Sequence, residues 1–314
     1  MKVLFPVSGV ETYLWLPPAV AFAVSFFTSM CGVSGAFLLL PFQMSFLGFV
    51  SPAVSATNLV FNVVAIPSGV YHYVHERRMV WPLNWVVIAG TLPGVFVGGL
   101  MRLHWLLDPR AFQAFVGFVL LYIGVRLLRS VVKSGTGDGR ADNQPSGGRP
   151  DPNRAFTVQL LAFNWRQLAY QYRDARYRCS TPLLFAVSLG VGVVGGAYGI
   201  GGGSILAPFL VAILGLPLHT VAGATLMGTL VTSVAGLAFY QLIGPLCLQS
   251  GTPVRPDWLL GLLFGAGGIG GMYLGARTQR FVSARWLKLL LGVLVAFVAL
   301  RYVWAHLSTL GGTA

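Results

Sequence analysis

The sequence predicts an all-α polytopic membrane protein of two homologous halves arranged as inverted repeats, each a glycine-broken helical hairpin followed by three transmembrane helices. Three observations predict it. Apolar runs of roughly the 20 residues that cross a bilayer recur along the whole chain. Charge is scarce: 9% of the 314 residues are charged and 55% are hydrophobic, and the mean hydropathy of +0.74 lies far outside the balance of a soluble domain. A glycine-proline motif occurs twice, once near the start of each half.

The apolar runs cover residues 17–41, 53–74, 81–101, 111–132, 181–217, 219–243, 258–276 and 286–307. The net charge of +13 sits between these runs rather than on one polar face. That placement fits the positive-inside rule and anionic headgroups, and it argues against nucleic acid as a partner. The N-terminal stretch has a single lysine and is broken by prolines, a poor signal peptide, so it reads as part of the mature protein. Cys31, Cys179 and Cys247 are odd in number and widely spaced, with neither a disulfide framework nor a metal spacing.

Residues 16–47 as one helix would span ~48 Å, against a hydrocarbon core of about 30 Å. The run must break, and "GVSGAFLLLPF" (Gly32–Phe42) is the natural place. "GIGGGSILAPF" (Gly199–Phe209) repeats it with glycine and proline at the same separation. Further matches join "VSATN" (Val54–Asn58) to "VAGATL" (Val221–Leu226), "GVFVGG" (Gly94–Gly99) to "GMYLGA" (Gly271–Ala276), and Arg126 to Arg301. A hairpin plus three helices leaves each half on the opposite side from its start, so the second half inserts upside down. With the central linker cytoplasmic, Arg77, Arg78, Arg277, Arg280, Arg285 and Lys288 all lie inside.

The first repeat is assigned to residues 1–132 and the second to 181–314. Between them, 133–156 is too rich in glycine, proline and charge to bury a core and reads as a flexible cytoplasmic linker. Residues 157–180 read as an amphipathic juxtamembrane segment. Leu161, Trp165, Leu168 and Tyr172 recur at helical spacing away from Arg166, Arg173 and Arg176, which favours an interfacial helix over a solvated connector.

"GVGVVG" contains a literal GxGxxG (Gly190, Gly192, Gly195), but no Asp or Glu follows between Asp174 and Asp257 to hold a ribose. A Walker loop fails too, because Ser204 and Ile205 stand where Lys and Ser/Thr are needed. Small-residue packing accounts for Gly94 with Gly98 and for Gly271 with Gly275. It does not account for Gly199, Gly201, Gly202 and Gly203, since clustered glycines cost about 1 kcal/mol each inside a helix. They imply unwound backbone at membrane depth, where an exposed helix N-terminus attracts anions.

These motifs, with "GATLMGTLVTSVAG" and "SATNLVFNVVAIPSG", resemble the sulfite exporter TauE/SafE family of membrane permeases over nearly the whole chain outside the linker. The resemblance implies transport of sulfite, sulfonates or related sulfur-containing anions. The first copy departs from the family pattern, with Ser34, Gly35 and Ala36 in place of the glycine triplet.

The candidate substrate-binding residues are Gly32, Ser34 and Gly35 in the first motif and Gly199, Gly201, Gly202, Gly203 and Ser204 in the second. Asn58 and Asn62 join them because residues four apart share a helix face. Gln43 follows the motif proline, and Thr57, Thr225 and Thr229 are weaker candidates because a membrane-helix threonine usually bonds its own backbone. Cys31 reads as a buried, inert thiol. His72 and His75 frame half a metal spacing without a third ligand and read as an interfacial loop with Glu76.

All eight carboxylates (Glu11, Glu76, Asp108, Asp138, Asp142, Asp151, Asp174 and Asp257) fall in loops or at helix ends, which argues against a cation substrate and against carboxylate proton coupling. No catalytic constellation, cofactor or metal site is predicted. The resemblance, together with the two glycine breaks, favours export of a small sulfur-containing anion by alternating access at the cell inner membrane. They leave open an importer or passive channel for another small anion, and a non-transporting membrane partner.

Overall fold

A break divides the apolar opening of each half into two helices, and in the second half it falls at the glycines 199–203. In the first half these are α1 (Leu16–Met30) and α2 (Ala36–Ser45), in the second α6 (Thr181–Tyr198) and α7 (Leu206–Leu214). At 1.5 Å per residue α1 spans about 22 Å and α2 about 15 Å, so neither alone crosses a core of about 30 Å. The computed structural model of the protein describes residues 2–30, 33–76, 79–135, 158–172, 175–247 and 253–278, with isolated positions between 289 and 302. Cys31, Gly32, Arg77, Arg78 and nearly all of the expected linker lie outside the described residues.

Longer helices follow in each half: α3 (Ala53–His75), α4 (Trp81–His104) and α5 (Pro109–Gly135), then α8 (Leu218–Leu242), the single turn α9 (Gly244–Cys247) and α10 (Trp258–Thr278). Among the described residues, five helices (α3, α4, α6, α8 and α10) are long and apolar enough to cross a membrane. The described positions from 289 to 302 are helical as well, with Ala299 and Tyr302 buried.

Glycine stripes let these helices meet backbone to backbone and reveal their directions. Gly90, Gly94 and Gly98 of α4 lie in turn against Ser188, Leu189 and Val193 of α6, so α4 and α6 run parallel. Gly267, Gly271 and Gly275 of α10 lie against Pro18, Phe22 and Phe26 of α1, again parallel. Gly261 and Gly265 of α10 follow Val60 and Val64 of α3, and Gly228 and Gly236 of α8 follow Val87 and Val95 of α4. The central pair is opposed: Leu59 of α3 meets Gly236 of α8, Gly69 meets Leu226, and Tyr73 meets Gly223. The opening helix of each half therefore packs against a long helix of the other, α1 on α10 and α6 on α4, around an antiparallel α3–α8 centre.

Two features correct the sequence reading. The chain is not all-α: β1 (Lys2–Leu4) pairs antiparallel with β2 (Glu11–Tyr13), and β3 (Val158–Phe163), β4 (Gln167–Tyr172) and β5 (Ala175–Ser180) form a three-stranded antiparallel sheet. The expected interfacial helix over 161–172 is thus a hairpin. Its apolar residues fit a period of two as well as one of 3.6: Leu168, Tyr170 and Tyr172 are buried, and in β5 Tyr177 and Cys179 turn inward between exposed Arg176 and Arg178. Trp165, 89% exposed, is at the hairpin tip, where reciprocal bonds between Asn164 and Gln167 close a two-residue turn.

The sheet is tied to the membrane helices by Tyr170, whose hydroxyl pairs with that of Thr220 at the start of α8 (2.8 Å). Burial raises the Tyr170 phenol, and it pushes the Cys179 thiol up to about 11. The second correction is small: His72 and His75 are in the last turn of α3, not a loop, and His72 pairs with Glu76 at 3.1 Å.

At the other end of the molecule the β1–β2 hairpin docks on Asp257. Its Oδ1 accepts from the Leu260 amide (3.1 Å), an N-cap for α10, while Oδ2 accepts from the Ser8 amide (3.2 Å) and hydroxyl (2.9 Å).

Candidate functional site

The two broken segments converge on one face of α3. After α6 the chain turns through Gly199 (φ 78°) and Gly201 (φ 82°), left-handed conformations that a side chain would strain, before α7 begins at Leu206. Asn58 and Asn62, one turn apart and fully buried, bridge this loop to the first motif. The Asn58 amide donates to the carbonyls of Ala36 (3.1 Å) and Gly199 (3.3 Å). The Asn62 amide donates to the Ile200 carbonyl (2.8 Å) and the Ser233 hydroxyl (3.1 Å), while its Oδ1 accepts a short bond from Ser34. Because backbone carbonyls only accept, these partners fix which way both amides point.

The motif proline supplies a third link. Pro41 has no N–H to give the Phe37 carbonyl one turn back, and that carbonyl instead accepts from the Tyr198 hydroxyl at the end of α6 (2.8 Å). One helix defect thereby becomes a joint between the halves.

The glycine loop packs into α8. A Cβ on Gly203 would lie 2.4 Å from the Thr225 carbonyl, and one on Gly202 would lie 2.9 Å from the Thr91 Cβ of α4. The Gly202 amide donates to Thr232 Oγ1 (3.0 Å); among the described residues the amides of Gly201 and Gly203 make no hydrogen bond. Ser204 donates a short bond to the Ile200 carbonyl, closing the loop on itself.

The remaining candidates divide. Gln43 joins the cluster through Nε2 to Asn58 Oδ1 (3.4 Å), and its Oε1 has no partner among the described residues. Gly35 lies against the unpartnered hydroxyl of Ser25. Thr57 points elsewhere, donating to the Ala53 carbonyl (2.8 Å) and accepting from the Asp257 amide (2.9 Å). The Thr225 hydroxyl bonds the carbonyl of Ala222 (3.0 Å) and that of Thr229 the carbonyl of Thr225 (2.7 Å), so what they offer the glycine loop is packing surface. Gly32 lies outside the described residues.

Sequence reasoning missed Ser25, Tyr198, Thr232 and Ser233. For Thr232 a signal existed: Thr225, Thr229 and Thr232 recur at intervals of four and three, the spacing of one helix face. Tyr198 carried no local sign, since its partner is 161 residues away.

The cluster is closed to solvent: Ser34, Asn58 and Asn62 are fully buried and Ser204 is 1% exposed. A separate cavity of about 530 Å³ between α5, α6 and α7 is lined by apolar residues such as Phe118, Val187 and Phe209 and offers an anion nothing.

Comparison with known proteins agrees with a membrane carrier. The sequence model described as "Sulfite exporter TauE/SafE" matches residues 18–302. A probable membrane transporter protein of Xylella fastidiosa is 24% identical over 298 residues, covering 91% of this chain and 94% of its own. The probable membrane transporter protein y4hK of Sinorhizobium fredii is 23% identical over 264 residues (83% and 87%), and the probable membrane transporter protein YunE of Bacillus subtilis 20% over 284 (88% and 92%). No solved structure matches the chain significantly. With its multi-pass helices and a match over most of its length, the chain belongs to the TauE/SafE sulfite exporter family of membrane transporters.

Proposed function

We propose that the protein is a permease, not an enzyme, which exports a small sulfur-containing oxyanion, sulfite or a sulfonate, by alternating access around the two motifs. One observation carries the reading: Asn58 and Asn62 each touch both motifs at once, so the site exists only where the halves meet. Its donors are the Asn58 and Asn62 amides, the hydroxyls of Ser34 and Ser204 and the backbone amides of Gly201, Gly202 and Gly203, with Gly35, Gly199 and Gln43 shaping the pocket. In the closed cluster most of these donors are already bonded to acceptors of the protein. An oxyanion entering it exchanges internal bonds for charge-assisted ones, which are roughly twice as strong.

The antiparallel α3–α8 centre and the reciprocal α1–α10 and α4–α6 pairs support halves inserted with opposite topology, rocking about that centre. Placing the linker in the cytoplasm puts Arg277 and the expected basic loops inside. An anion leaving a negative interior gains about 2.3 kcal/mol per charge per 100 mV, so export needs no coupling ion.

The test is sulfite and sulfonate flux in proteoliposomes, with Asn58→Ala and Asn62→Ala as site variants. The expected outcome is flux by the native chain, cut by about tenfold or more in either variant. A native chain that moves neither anion, or variants that move them at the native rate, would overturn the reading.

A further inference from the structure

One buried cation takes no part in the cluster just described. Arg102, in the last turn of α4, is fully buried. Its Nη1 donates a short bond to the Leu106 carbonyl and its guanidinium lies 3.6 Å from the ring centre of Phe112. Nε and Nη2 have no partner among the described residues. Those two N–H groups point the same way along one edge of the guanidinium, the fork that takes two oxygens of one oxyanion.

No carboxylate answers this charge: the one ion pair among the described residues is His72 with Glu76. A buried guanidinium without a counter-charge is costly to keep. Two further buried hydroxyls, those of Tyr240 on α8 and Ser55 on α3, have no partner in hydrogen-bonding geometry among the described residues. Tyr240 packs in one buried cluster with Leu103 and Ala56, the chain neighbours of Arg102 and Ser55. Ser55 in turn touches the central loop, for a Cβ on Gly199 would fall 2.2 Å from the Ser55 Cβ. Arg102, Tyr240 and Ser55 thus lie on three packed helices between the Asp257 end of the bundle and the glycine motif.

We infer that the free edge of Arg102, with the hydroxyls of Tyr240 and Ser55, is a second anion subsite that holds the permeating oxyanion on its way between the central cluster and the side opposite the linker. The inference deepens the proposed permease function and rests on it for the identity of the anion. The subsite favours a tetrahedral or pyramidal oxyanion over a planar monoanion, because two N–H groups on the fork and two hydroxyls beside it offer donors in more than one plane.

The test uses the purified full chain and follows the thermal stabilisation given by sulfite, sulfate and nitrate at constant ionic strength, alongside sulfite flux in proteoliposomes. Native protein should be stabilised more by sulfite and sulfate than by nitrate. Arg102→Gln should weaken the sulfite response by about tenfold or more and erase the preference over nitrate. Arg102→Lys, which keeps the charge but not the fork, and Tyr240→Phe should each weaken it by roughly severalfold. Asn62→Ala should lose flux while keeping the Arg102-dependent stabilisation.

Native-like sulfite responses in Arg102→Gln and Tyr240→Phe would overturn the subsite and leave the central site standing. Should Arg102→Gln fail to fold, native-like responses in Arg102→Lys and Tyr240→Phe together would overturn it equally. Native protein stabilised by none of the three anions also overturns it. Full flux in Asn62→Ala with a lost response in Arg102→Gln would instead refute the central site and keep the subsite.

Discussion

Asn62 holds three pieces of chain at one point: Ser34 of the first motif, Ile200 of the second and Ser233 of α8. Asn62→Ala leaves a buried carbonyl and two hydroxyls short of a partner, and should lower the stability of the detergent-solubilised protein by about 1–3 kcal/mol, read as a drop in its thermal midpoint. Glycines in the same region should differ sharply. Gly203→Ala places a methyl 2.4 Å from the Thr225 carbonyl and 2.7 Å from the Thr229 amide, backbone atoms that cannot swing aside, so the α7–α8 contact must open and yield of folded protein should fall. At Gly190, the first glycine of the literal GxGxxG, a Cβ meets nothing within 4 Å. Gly190→Ala should therefore be neutral or raise stability by up to about 1 kcal/mol through helix propensity. Equal loss in both variants would contradict this assignment of the glycines.

At the scale of elements, the α4–α6 contact depends on small residues facing small residues. A Cβ on Gly98 would lie 2.2 Å from the Val193 carbonyl, so Gly98→Val should prise the two helices apart and abolish folded protein, whereas the same change on an exposed face would not. The β3–β5 sheet makes a prediction about pH. Burial holds the Cys179 thiol protonated up to about 11, above its ordinary value of 9.0. The folded state thus keeps a proton that the unfolded chain gives up, and its contribution to stability is full below pH 9.0 and is lost as pH rises towards 11. At pH 8 maleimide should modify Cys179 far more slowly in the native protein than after denaturation in detergent. Rapid native labelling would mean that the sheet does not cover it.

For the whole molecule, the directions of the helices set the sidedness of the loops. In a chain stripped of its own cysteines, Arg277→Cys and Ser146→Cys in the linker should be labelled by a membrane-impermeant maleimide from one side, and Arg110→Cys and Arg255→Cys from the other. Labelling of Arg277 and Arg255 from the same side would rule out the topology proposed.

Much of this arrangement is legible in the sequence because it is local. Apolar runs mark membrane helices by their length, and three consecutive glycines at 201–203 mark a break in the helix. Two copies of the motif point to a duplication without any knowledge of contacts. The sequence also pointed to Asn58 and Asn62, since polar amides one turn apart in an apolar helix need partners. The rest is nonlocal. Residues 161–172 satisfy periods of both two and 3.6, and only pairing with β5 and the bond from Tyr170 to Thr220 select the strand. Thr57 and Thr229 look alike in sequence, yet one caps toward Asp257 and the other lines the glycine loop. Arg102 looks like an ordinary charge at a helix end until Phe112 closes over it. Which groups share a helix follows from spacing along one chain segment. Which of them face each other, and which buried donors are left without a partner among the described residues, is decided by how α3, α4 and α8 pack, because partners a hundred or more residues apart leave no trace in local pattern.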